Sequence, residues 1–180
     1  MSSTKHSRVS PPRGFVLVFC FLLCLSGCGF YAVHSERSQA SIAVLSTVDI
    51  GLIPNRTGQM LRNELLQKMQ PRGPARPARF TLLVSLKEVL QELAIQKDAV
   101  ATRANLILNA EFTVTDRKNG RPLYSGRARS VNSYDILTSD FATLSALGDA
   151  RRRAVRQLAF DIRERISVWL LQTNDGSVPR

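Results

Sequence analysis

The sequence predicts an α+β fold: a two-layer sandwich with two helices packed on a four-stranded, mostly antiparallel sheet, in the order β-α-β-β-β-α. Three observations carry this prediction. Apolar residues alternate at period two in separate stretches between Thr47 and Tyr134, as half-buried strands require. Two other stretches, one after the first strand and one closing the chain, place apolar residues on a single helical face. Asn119-Gly120 lies between the two most regular alternating runs and marks a hairpin. A chain of 180 residues fits one ordinary domain, and there is no internal repeat.

The elements follow in order. Val48, Ile50 and Leu52 alternate with Thr47, Asp49 and Gly51, giving a first strand that Pro54-Asn55 ends. Asn55 is the expected N-cap of a helix from about Arg56 to Met69, with Gly58, Leu61, Leu65 and Met69 on its inner face. Pro71, Gly73, Pro74 and Pro77 then force a loop. Phe80, Leu82, Val84 and Leu86 begin a second strand, whose apolar phase slips near Glu88–Val89. The slip implies a bulge, or a strand running past the helices. Gln96-Lys97-Asp98-Ala99 is the expected turn into a third strand carrying Leu106, Leu108, Ala110, Phe112 and Val114. A fourth strand runs from Leu123 to Tyr134.

The closing helix is expected from Ser139 or Asp140 to Leu171. Its stripe is Phe141, Leu144, Leu147, Val155, Leu158, Ile162, Ile166 and Trp169, interrupted by Gly148 at a possible bend. Asp149–Arg153 and Asp161–Arg165 stand as i,i+4 ion pairs, and Phe160 points away from the stripe.

Charge and the N-terminus must be taken together. The formal charge of +11 suggests an acidic partner. Lys5, Arg8 and Arg13 precede an unbroken apolar run of eleven residues, Phe15 to Leu25, too short for a membrane span of about 20 but suited to a secretory signal. Leu25-Ser26-Gly27-Cys28 resembles the lipobox of bacterial lipoproteins. That resemblance implies removal of residues 1–27 and acylation of Cys28 on both its thiol and its freed amine, a multi-chain anchor that holds stably. Gly29 rather than Asp follows the cysteine, which by the same resemblance directs the protein to the inner leaflet of the outer membrane. Residues 28–40 then form a tether, 41–171 one domain and 172–180 a disordered tail.

Processing leaves 22 Lys and Arg against 14 Asp and Glu, a net +8, with one cysteine and one histidine, His34. No disulfide framework, thiol nucleophile or Cys/His zinc site is then available, and an exported chain has no nucleic acid to meet. No phosphate-binding glycine loop is present, His34 in a tether cannot serve a Ser/His/Asp triad, and Glu88, Glu92 and Asp98 read as surface charges. No enzyme activity and no cofactor are therefore expected. What remains is cationic surface. Arg152, Arg156 and Arg163 fall on one flank of the last helix, where a solvated face is the plainer explanation and an anion-binding flank the other. Lys97, Arg103, Arg127 and Arg129 belong to the sheet and its hairpin end.

Short motifs now align in order: Cys28-Gly29-Phe30; Ile53-Pro54-Asn55-Arg56-Thr57-Gly58-Gln59 into Leu61-Arg62-Asn63-Glu64-Leu65; Thr102-Arg103; Gly120 with Leu123-Tyr124-Ser125-Gly126; Ser133-Tyr134; and Asp149-Ala150 into Leu158-Ala159. Together they resemble the LptE family of lipopolysaccharide-assembly lipoproteins of Gram-negative bacteria, in its α-proteobacterial form, over about Cys28 to Leu171. The resemblance implies a non-enzymatic plug inside an LptD-like β-barrel that assists barrel assembly and binds lipopolysaccharide. It also implies that Lys97 and Arg103 are ligand contacts, while Thr138-Ser139-Asp140 lacks the cation that family members carry before the last helix. The runner-up is an envelope-binding or scaffolding lipoprotein facing the periplasm without a barrel partner.

Overall fold

Strand β1 is only Val48–Ile50, and helix α1 (Asn55–Met69) carries the chain back so that β2 (Phe80–Leu93) can pair parallel to β1. β2, β3 (Arg103–Asp116) and β4 (Pro122–Asp135) then pair as an antiparallel meander, and α2 (Asp140–Asn174) closes the chain. The sheet order is β1-β2-β3-β4, a mixed sheet with both helices on one face, as the alternation predicts. In this computed structural model the described residues are 43–73, 78–93 and 102–174, all within one compact unit. Cys28, the expected tether, Lys97 with its turn, and residues 175–180 lie outside them.

The β1–α1 junction explains why its sequence is so particular. Asn55 sits at φ 69°, in the left-handed region that asparagine tolerates better than most residues. It is not the side-chain cap expected of it: Pro54 occupies the cap position in an extended conformation, and no side chain bonds there. Gln59 instead donates from Nε2 to the Ile53 carbonyl at 2.6 Å, and Arg62 Nε reaches the carbonyls of Ile50 and Gly51. Gly58 is required because a Cβ there would lie 2.7 Å from Ile53 Cγ2 and 3.0 Å from its backbone oxygen. The four inner residues predicted for α1, Gly58, Leu61, Leu65 and Met69, are all buried.

Even-numbered residues of β2, β3 and β4 face the helices. Leu82, Val84, Leu106, Leu108, Phe112 and Val114 meet Leu158, Ile162 and Ile166 of α2 and Leu61 and Leu65 of α1 in one core. Phe112 is opposite Gly126, whose missing side chain leaves space for the ring; a Cβ there would lie 2.5 Å from Cζ. Near the far end of the sheet Tyr124 stacks on Trp169 and Phe80 meets the same indole edge-on, each at 5.5 Å between centroids.

Several expectations need correction. β2 has no bulge at Glu88: its register with β3 runs unbroken from Phe80↔Asp116 to Leu93↔Arg103, and the one register shift lies between Val114 and Thr115, against β4. The apparent phase slip arises because Glu88 is itself an inward residue, so it is not a surface charge. The hairpin after β3 has a five-residue connection, 117–121, around the predicted Asn119-Gly120, with Gly120 alone at positive φ and Asp116 and Asn119 capping amides with their side chains. Ser139 caps α2, and the helix continues to Asn174, three residues past the expected end. Phe141 and Leu144 do not join the buried stripe; they are 82% and 65% exposed, because the helix begins before it reaches the sheet. Asp149 pairs with Arg152 rather than Arg153, whose guanidinium donates to the Ser133 carbonyl, whereas Asp161–Arg165 forms as predicted. Phe160 is exposed, also as predicted.

Candidate functional site

Charged groups collect in three places. The first is the end of the sheet where β3 begins and β4 closes. Arg103 opens β3 and lies opposite Asp135, which closes β4, so the antiparallel register brings them together; Arg103 Nε donates to Asp135 Oδ1 at 3.2 Å. Both are more than half exposed, and they line an open hollow of about 460 Å³ with Thr102, Ile136, Leu137 and Thr138. The pair is weak in such an exposed position, so the guanidinium can exchange its carboxylate for another anion. Lys97, the other candidate ligand residue, lies outside the described residues.

The second is a groove between α1 and α2. Arg152 and Arg156, four residues apart and so on one face, line it with Met60, Asn63, Glu64 and Val155. Arg152 is committed to Asp149, whereas among the described residues Arg156 has no ion-pair partner. The third of the predicted flank, Arg163, is half-buried against Glu164 and does not line the groove. The flank therefore divides: two of its three arginines share a surface, and the third is about 10 Å further along the helix at 1.5 Å per residue.

The third was not anticipated. Glu88 projects from β2 between the two helices, 24% exposed, and accepts from Arg151 Nε and Nη2 at 2.9 and 2.6 Å and from Thr57 Oγ1 at 2.8 Å. One carboxylate thus ties the sheet to both helices with charge-assisted bonds. The available signal was its even position in the series Leu82, Val84, Leu86. Deeper under α2, Ser130 donates to Gln157 Oε1, and Asn132 donates in turn to Ser130.

The opposite, outward face of the sheet is uncovered by any described element. Glu111 and Arg127 pair across it, Ser133 donates to Asn105, and Val89, Ile107 and Val131 form an apolar row across three strands in direct register. Groups of His, Cys, Asp or Glu able to hold a metal are absent among the described residues, as is any helix long and apolar enough to cross a membrane.

Two helices lie on one face of a short-long-long-long mixed sheet, with polar chemistry in ion pairs and open grooves, and the same arrangement is found in solved bacterial lipoproteins. A protein of Caulobacter crescentus described as a candidate lipoprotein has this fold at TM-score 0.61 and 23% identity, over 76% of this chain and 98% of that one. The minor lipoprotein of Acinetobacter baumannii (TM-score 0.53, 18% identity, 67% and 91% of the two chains) and rare lipoprotein B of Shewanella oneidensis (0.53, 11%, 71% and 98%) share it too. No curated protein sequence matches. The family model for LptE, lipopolysaccharide-assembly, matches residues 45–166, and the chain belongs to that family.

Proposed function

We propose that this protein is an outer-membrane lipoprotein, anchored through acyl chains on Cys28, that plugs an LptD-like β-barrel, assists its assembly and binds lipopolysaccharide on its way to the outer leaflet. The observation that carries this reading is the family match across residues 45–166, nearly the whole sandwich. The physics supports it. A plug in a polar lumen needs a surface that is charged without being sticky, and the bare sheet face has paired charges around a narrow apolar row. Arg103, already exposed and weakly held where β3 begins, is the described group able to meet a lipid phosphate, and Lys97, outside the described residues, is the second candidate contact. No step of bond-making chemistry is required of any residue.

The test is extraction of the mature lipoprotein in mild detergent. Co-purification with a large β-barrel is the expected result; a monodisperse lipoprotein with no barrel would replace this reading with that of an envelope scaffold. Charge reversal at Lys97 and Arg103 is expected to weaken lipopolysaccharide binding, more at low salt than at high salt because exposed charges are screened. Unchanged binding would move the ligand elsewhere on the domain.

A further inference from the structure

The two ends of the sandwich differ in charge, and the chain enters at the more basic one. β1 is parallel to β2 and begins at Val48 opposite Phe80, so the polypeptide coming from Cys28 joins the domain at the end that holds Phe80 and the β3–β4 hairpin. Gln70, just after α1, donates to the Val48 carbonyl, which brings the α1 C-terminus to the same end. Trp169 against Phe80 brings the last turns of α2 there as well.

Among the described residues this end has six cations: Lys68, Arg72, Arg79, Arg117, Lys118 and Arg121. Against them among the described residues stand Asp49, which Arg117 holds at 2.8 Å, and Asp116, whose carboxylate accepts from the Lys118 amide. Arg79 lies over the Phe80 ring, 5.3 Å from its centroid, beside an open hollow of about 620 Å³ that also includes Arg117 and Lys118. Arg72, Lys118 and Arg121 are exposed and make no side-chain ion pair among the described residues. Among the described residues the other end is not basic: Arg103 is matched by Asp135, and Glu92 and Asp140 add two carboxylates.

We propose that this basic end is a membrane-docking surface, which lies against the anionic phospholipid headgroups of the leaflet that holds the anchor and so leaves the Arg103 end farthest from those headgroups. The proposal rests on the lipid-anchor reading of Cys28 but not on the barrel. Fourteen residues lie between Cys28 and Ala43, a span of at most about 50 Å when fully extended. Chain length alone therefore does not fix which pole of the domain faces the bilayer. Acyl chains combined with a polybasic patch fix orientation where chains alone do not. Exposed arginines and lysines at one pole, in excess over the two described carboxylates beside them, are what such a surface requires.

Trp169 is the one tryptophan of the sequence and lies at this pole, which gives the experiment its reporter. The lipidated protein, purified from membranes and with its acyl content measured by mass spectrometry, is reconstituted into phosphatidylcholine vesicles with or without phosphatidylglycerol, both containing a dansyl-labelled lipid. Energy transfer from Trp169 to the dansyl headgroup is expected to be about twofold or more stronger in the anionic vesicles, and to fall to the neutral level at high salt. The triple variant R72E/K118E/R121E, whose changed side chains make no ion pair or hydrogen bond among the described residues, is expected to lose the difference while keeping its circular dichroism spectrum. Transfer that ignores lipid charge, or that survives the triple reversal, would overturn the proposal. A protein without acyl groups would defeat the anchor reading separately, and the same vesicles would still read the charge dependence by flotation.

Discussion

At Gly126 the ring of Phe112 occupies the place a side chain would take, so this glycine is a packing device rather than a flexible joint. Gly126→Ala should overpack the core and destabilise by about 1–3 kcal/mol, read from urea denaturation. Combining it with Phe112→Leu should recover part of the loss, since the smaller side chain vacates the contested space. Glu88 is a different kind of anchor. Glu88→Ala leaves the Arg151 guanidinium and the Thr57 hydroxyl half-buried without their acceptor. A cost of about 1 kcal/mol is expected once the partial exposure of both partners is discounted. Glu88→Ala with Arg151→Leu should be closer to the parent, and a double-mutant cycle with no coupling would count against the three-way tie. These two residues also mark what sequence reasoning reached and missed. The glycine's place in a motif was visible, its reason was not, because a one-dimensional pattern does not state which ring stands opposite. Glu88 was misassigned because alternation was scored by hydrophobicity, and a paired carboxylate on an inner position breaks that score without breaking the strand.

Among the elements, α2 best separates what periodicity can and cannot give. Leu158, Ile162 and Ile166 were readable as core because helical spacing sets the face they share, and all three are fully buried. Phe141 and Leu144 obey the same spacing but are exposed, since a stripe on a helix is buried only where another element stands beneath it. Ile162→Ala should therefore cost about 2–5 kcal/mol in denaturant unfolding, whereas Leu144→Ala should change stability by less than about 0.5 kcal/mol. A comparable loss at both positions would mean that the first turns of α2 pack on something in solution. The candidate arginines follow the same logic. Arg152 and Arg156 share a groove because a second helix runs beside them, and Arg163 does not because Glu164 draws it in. Spacing put the three on one flank; only the neighbouring element decided which of them face a common space.

For the whole molecule, the fold class and element order were legible because six separate periodicities agreed with each other. The charge was legible only as a total, whereas its placement at one pole depends on the parallel β1–β2 pairing, which no local pattern specifies. Anchoring is the property of the molecule most open to direct test. Cys28→Ala is expected to abolish acylation and to release the protein from the outer-membrane fraction, measured by mass spectrometry and fractionation. Acylation retained in that variant would refute the assignment of the site.

The three-residue length of β1 has one more consequence. Its pairing ends at Leu82, so most of β2 has no neighbour on that side among the described residues, and β4 has none along its outer edge. Open strand edges recruit further strands, and a concentrated population of such domains is exposed to polymerisation through them. Charged side chains and an interrupted register are the usual protection, and β4 has both in Arg127, Arg129 and the shift at Thr115. Replacing Arg127 and Arg129 by valine should leave the monomer folded yet make it assemble into thioflavin-positive fibrils. The shortest strand in the molecule thus makes edge protection a condition of keeping the lipoprotein single.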